Sequence, residues 1–145
     1  MLEYRFKFAE GIEKRMHQQR FGARATYRQE EDQRVKNSVS LAEKFKALKS
    51  LKVDLTHLSP EGDAKTSEIK YMVNLQNAKS VFRFNCPNHE CIRGDFDLTK
   101  ELAAAVAARR KTVAGEMVCH GWRSRTTIDT VHCHNVLRYK LTLTY

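Results

Sequence analysis

The last eleven residues, "NVLRYKLTLTY" (Asn135–Tyr145), alternate without a break. Leu137, Tyr139, Leu141, Leu143 and Tyr145 share one side of an extended chain, and Arg138, Lys140, Thr142 and Thr144 share the other. Such a strand has one dry face and one wet face, the pattern of an antiparallel sheet covered on one side only. Two earlier stretches repeat the pattern. Leu51, Val53 and Leu55 alternate with Lys52, Asp54 and Thr56, and Ile69, Tyr71, Val73 and Leu75 with Lys70, Met72 and Asn74. Val81–Asn85 reads as a third short strand after the turn "QNAKS", giving a meander whose connections are too short for crossovers. "EMVCHGW" (Glu116–Trp122) adds one more.

Two helices supply the cover. Residues 29–50 place Val35, Ala42, Phe45 and Leu48 on one side, and Lys36, Glu43, Lys46 and Lys49 on the other. In "GDFDLTKELAAAVAARRKTVAGE", Asp97 is the expected N-cap, with Leu98, Leu102, Ala105 and Val106 as the apolar stripe. Arg109, Arg110 and Lys111 then complement the negative helix end, and Gly115 stops it. The expected fold is a two-layer α+β sandwich of about five mainly antiparallel strands with helices on one face. The stretch "RFGARATYRQEEDQR" is almost free of apolar residues and reads as an exposed arm or linker. This division gives a basic, helical N-terminal arm over residues 1–30 and an α+β domain over 31–145.

The four cysteines bear on how this fold is held. Cys86 and Cys91 flank the turn formers Pro87 and Asn88, whereas Cys119 ends one expected strand and Cys133 begins the next. A hairpin joining those strands would set Cys119 and Cys133 side by side, at the sheet end where the Cys86 turn lies. No stretch reaches the ~20 apolar residues of a membrane span, and the start lacks the h-region of a secretory signal. The expected compartment is therefore cytoplasmic and reducing, with no membrane partner, which favours a metal over disulfides. Four soft ligands suit zinc, and the expected ligands are Cys86, Cys91, Cys119 and Cys133. A histidine in place of one cysteine is the second choice, because His89, His120, His132 and His134 all sit beside the cysteines. Four thiolates close the coordination sphere, and neither the His-x-Glu of zinc deaminases nor a His-Glu-x-x-His helix is present, so the ion is read as structural.

The chain has 26 Lys/Arg against 17 Asp/Glu, a formal charge of +9, and this points to a polyanionic partner. Three basic surfaces stand out. The wet sheet face is expected to carry Lys52, Lys70, Arg83, Arg138 and Lys140, with Asp54 as its single acid. Arg123 and Arg125, beside Trp122, form a cationic finger. Lys14, Arg15, Arg20, Arg24 and Arg28 lie along the N-terminal arm. The wet face lacks aromatics for base stacking, so recognition through backbone or shape is expected, with structured or ribosomal RNA ahead of DNA. A second expectation is an assembly module whose arm and 29–50 helix dock a protein partner or a second copy; an enzyme using the Cys/His cluster is a third.

"RFGAR" (Arg20–Arg24) resembles the Arg-x3-Arg element of PilZ-type cyclic-di-GMP receptors, and "HLSPEG" their Asp/Asn-x-Ser-x-x-Gly element. His57 stands where that element has an acid or amide, and a helix between the two pieces departs from that barrel; no residue is carried over.

Overall fold

The computed structural model describes residues 22–61, 64–88, 90–125 and 130–145, without the side chains of 123–125 and 130. It is a mixed α/β structure around an antiparallel four-stranded sheet in the order β2-β1-β8-β5. The strands are β1 (Ser50–Leu58), β2 (Lys65–Met72), β5 (Thr112–Val118) and β8 (Val136–Thr144). Two small hairpins stand outside it, β3 (Arg83–Asn85) with β4 (Asp95–Asp97), and β6 (Trp122–Arg125) with β7 (Thr130–His132). The alternation that announces β8 is borne out: Leu137, Tyr139, Leu141 and Leu143 are buried, and Arg138 and Lys140 are exposed. β8 pairs with β1 in unbroken register from Ser50↔Thr144 to Leu58↔Val136. Val53 and Leu141 thus oppose each other on the dry face, and Asp54 and Lys140 on the wet one.

The dry face is covered by α3 (Thr99–Ala107), which buries Leu102 and Ala105, and by Leu41 and Leu48 from the segment leading into β1. Leu102 is fully buried in this core. Leu102→Ala should cost about 2–5 kcal/mol through lost transfer energy and the cavity left behind, read as a lower urea midpoint at unchanged m-value.

Several boundaries differ from expectation. The meander stops after two strands, because β3 leaves the sheet to pair with β4. Asp97 is the last residue of β4, and its carboxylate accepts the Thr99 N–H at 2.9 Å, one position ahead of the N-cap Leu98. Gly115 does not stop α3, which ends at Ala107; it lies within β5 opposite Tyr139. A Cβ there would lie 2.7 Å from the Tyr139 hydroxyl, so glycine makes room for the ring.

The largest correction concerns residues 22–50. The supposed linker is a helix, α1, over residues 22–36. The expected 29–50 helix breaks at "NSVS", where the Ser38 hydroxyl donates to the Val35 carbonyl and Ser40 caps the single turn α2 (Leu41–Lys44). α1 has few apolar residues because its inner face is polar. Arg24, Tyr27, Arg28, Glu31 and Val35 are half-buried at helical spacing. Tyr27 donates to Asp95 at 3.1 Å, and Arg34 reaches Asp97 at 3.1 Å. Arg83 bridges α1 to the β3–β4 hairpin, 3.3 Å from Glu31 and 3.0 Å from Asp95, with its side chain only 3% exposed. Burial and Asp95 together push the Tyr27 hydroxyl up to about 12, so it remains a donor at neutral pH. Arg83→Met should therefore cost about 3 kcal/mol by leaving two carboxylates without their shared cation, and should loosen α1 first. Loss of helical circular dichroism below the main melting transition would show it.

Candidate metal centre

At the end of the sheet where β5 stops and β8 starts, the chain brings four sulfurs into one corner. Cys119 follows β5 directly, and Cys133 lies three residues before β8. The Val118↔Val136 pairing brings the two segments together, and the Cys119 N–H donates to the Asn135 carbonyl at 2.8 Å. The β3–β4 connection carries Cys86 and Cys91 to the same place. Its turn is closed by Cys91 N–H to the Asn88 carbonyl at 3.1 Å and Cys86 N–H to the Gly94 carbonyl at 3.2 Å. A short bridge, Ile92 with Trp122, ties this loop to the β6–β7 hairpin.

The sulfur of Cys86 lies 3.7 Å from that of Cys133, and the sulfur of Cys91 lies 3.6 Å from that of Cys119. All four ligand atoms fall within 4.8 Å of one another, and all four residues are buried. These separations exceed a disulfide bond by about 1.6 Å. They match the edge of a tetrahedron: bonds of about 2.3 Å to a central ion set sulfurs about 3.8 Å apart. The cluster has a geometry compatible with a bound metal ion.

Without an ion the surroundings favour a thiolate at Cys86 and raise Cys91 and Cys119. The backbone at Asn88 favours the ionised form of Cys86, and that at Gly121 the ionised form of Cys119. Asn88 Nδ2 lies 3.7 Å from the Cys133 sulfur, and Asn135 Nδ2 lies 3.8 Å from the Cys86 sulfur. Hydrogen bonds from Cys119 and Cys91 hold Cys86 far below the ordinary thiol range, against burial that pushes it up. The same sharing drives Cys91 up, through Cys119, then Cys86, then burial. Protons alone thus leave the corner with unequal sulfurs; a divalent ion allows all four to be thiolates.

Two glycines make the corner possible. A Cβ on Gly94 would lie 2.1 Å from the Cys91 sulfur and 2.6 Å from that of Cys119. On Gly121 it would lie 2.4 Å from the Cys91 sulfur and 2.7 Å from the Gly94 backbone. Sequence reasoning missed both, together with Asn135, and read Asn88 as a turn former without its contact to the Cys133 sulfur. The available signal was spacing: Gly121 and Asn135 each follow a cysteine by two residues, and Gly94 follows Cys91 by three.

No protein-family model, curated protein or solved structure matches this chain.

Among the described residues, the four cysteines are the one group of three or more metal-ligating side chains held this close. His120, His132 and His134 are exposed around it, and His89 lies outside the described residues. His57 is buried in the core with its ring 5.7 Å from that of Phe96.

The expected basic residues are scattered. Lys14, Arg15 and Arg20 lie outside the described residues, as do the side chains of Arg123 and Arg125 on β6. Arg24 and Arg28 are half-buried on α1, and Arg24 donates to the Asn88 carbonyl at 3.3 Å, close to the sulfurs. Arg83 is enclosed between Glu31 and Asp95, away from solvent. Lys52, Lys70, Arg138 and Lys140 do share the wet face. Asp54 is not its only acid, because Glu68 and Glu116 flank Thr56 and Arg138 in the same row. Glu68 pairs with Lys65 and, at 3.4 Å, with Lys70, whereas Glu116 holds Arg138 at 2.8 Å. That face is close to neutral.

Proposed function

We propose that this protein is a non-catalytic, zinc-stapled protein that associates with nucleic acid, with structured RNA favoured over DNA. The observation that carries the zinc reading is the buried set of four sulfurs at tetrahedral spacing. Four thiolates leave no open position for a substrate or a reactive water, which argues for a staple over a catalytic ion. Tetrahedral sulfur also suits iron, so elemental analysis and the visible spectrum of the native protein decide between the two.

The nucleic-acid reading draws on the charge of +9 and on the exposed cations that, among the described residues, have no carboxylate in ion-pairing distance. RNA is favoured because α1 is a poor reader of a DNA major groove. One side of it is docked, and the exposed side carries Glu30 and Asp32. The test is fluorescence anisotropy with labelled RNA and duplex DNA over a range of salt. RNA binding that falls steeply with salt is the expected result, and indifference to salt rejects the reading.

A second reading, an assembly module, has one observation in its favour. β2 is an edge strand whose Ile69 and Tyr71 face the dry side yet remain 48% and 37% exposed. It predicts a two-chain mass by light scattering that Ile69→Lys returns to one. A monomer at high concentration removes it.

A further inference from the structure

Two runs of the chain carry cations without a single acid. Residues 44–52, "KFKALKSLK", contain Lys44, Lys46, Lys49 and Lys52, and residues 108–112, "ARRKT", contain Arg109, Arg110 and Lys111. Neither run does what the sequence pattern suggests. The lysines are not on the outer side of a long helix, because that helix ends at residue 36 and α2 stops at Lys44. The arginines lie beyond α3, whose last turn contains no basic residue.

The fold sets the two runs side by side at the end of the sheet opposite the cysteines. Lys49 N–H donates to the Thr144 carbonyl, and Leu143 N–H to the Lys111 carbonyl, both at 2.8 Å, so the runs flank the end of β8. Arg109 lies 5.7 Å from the Tyr145 ring, and the Tyr145 hydroxyl donates to the Arg110 carbonyl. Lys52 projects on the wet face one row away, opposite Thr142. All seven cations are exposed, and none of them makes an ion pair, whereas Arg34, Lys65, Lys70, Arg83 and Arg138 all do. Seven exposed cations at one end of the sheet, with no carboxylate in ion-pairing distance among the described residues, depart from the interspersed charges of a surface set only for solubility.

Beside them is a cleft of about 580 Å³, lined in part by Lys46, Lys49, Ser50, Asn74 and Gln76. Its volume falls within the range of small-ligand sites, and it offers lysines together with amide side chains. A flat anionic surface such as a lipid headgroup layer has no use for a recess. A nucleic-acid chain does, since unpaired nucleotides present phosphates and a splayed base together.

We infer that this end of the sheet binds an unpaired stretch of RNA, with phosphates along the two cationic runs and one nucleotide in the cleft. The inference rests on the preceding reading that the protein associates with nucleic acid, and it moves the contact away from the wet face and the metal corner. The experiment compares the full chain with two variants of equal charge loss: Lys46→Ala/Lys49→Ala/Arg110→Ala, and Lys36→Ala/Lys79→Ala/Lys100→Ala. The probe is a fluorescein-labelled RNA oligonucleotide with an unpaired stretch, and circular dichroism melts confirm that both variants stay folded.

The first variant should bind about 50-fold more weakly near physiological salt, with the slope of log K against log salt reduced by about 2, as expected for three lost single-strand phosphate contacts. The second should change affinity by less than about threefold. If the parent chain binds no RNA, this inference and the underlying reading fail together. If it binds and both variants weaken alike, only the assignment to this surface is overturned. A third arm uses phosphatidylserine vesicles: vesicle binding lost in the first variant, with RNA binding intact, identifies a lipid surface and overturns the inference.

Discussion

Stripping the proposed ion with a strong chelator should abolish cooperative unfolding of the cysteine corner and lower the thermal midpoint by tens of degrees. Structural zinc in zinc-finger peptides contributes roughly 10–16 kcal/mol of apparent binding energy at neutral pH, and the proposed zinc here would on that scale match or exceed the ~5–15 kcal/mol net stability of an ordinary domain. The corner has little else to hold it. β3, β4 and β7 are three residues each, and β6 is four. Two-stranded hairpins of that length do not stand alone. Cys133→Ser should reproduce the chelated state without chelator, since it removes one of four ligands and leaves the other three buried sulfurs to compete for protons. Metal content by elemental analysis and a circular dichroism melt check both. A native protein free of stoichiometric metal, melting identically with and without chelator, would remove the staple from the account.

Gly94→Ala should be nearly as damaging, although it deletes nothing. The added methyl would sit 2.1 Å from one sulfur and 2.6 Å from another, and both are buried and fixed by the other ligands. Relief requires moving a sulfur or opening the loop, at about 3 kcal/mol or more, and either change would weaken binding of the proposed ion. Gly121→Ala should behave alike, for its methyl meets the Cys91 sulfur and the Gly94 backbone. Gly22→Ala is the matched control: nothing lies within 4 Å, and the site is in α1, so alanine should be neutral or stabilise by up to about 1 kcal/mol. Metal stoichiometry and urea midpoints of the three variants give the comparison; a Gly94→Ala protein with full metal and unchanged stability would show that the corner is looser than its distances state.

The central strands were legible because alternation is a local signal. Leu51, Val53 and Leu55 need no knowledge of the rest of the chain to mark a dry face. The cysteines were legible for a different reason: Cys119 ends one expected strand, Cys133 begins the next, and a hairpin between them faces the Cys86 turn at one sheet end. α1 was not legible, because its contact face is made of Arg24, Tyr27 and Glu31, and burial through ion pairs leaves no apolar period to detect. The helix over 29–50 was expected to be unbroken because Phe45 and Leu48 reach the core from beyond α2 at a spacing that a helix also produces. Glu68 and Glu116 escaped notice since their neighbours depend on cross-strand register. Three-dimensional adjacency was also needed to see that residues 44–52 and 108–112 form one surface.

The β1–β8 ladder has a mechanical consequence. Nine consecutive residue pairs without a bulge make the two strands a stiff strut, about 26 Å from Ser50 to Leu58. The sulfur corner is attached at one tip and the cationic runs at the other. Loops can flex at either tip, but the spacing between the tips is set by the hydrogen-bonded strands. A molecule touching both ends must therefore match a length that the protein does not adjust.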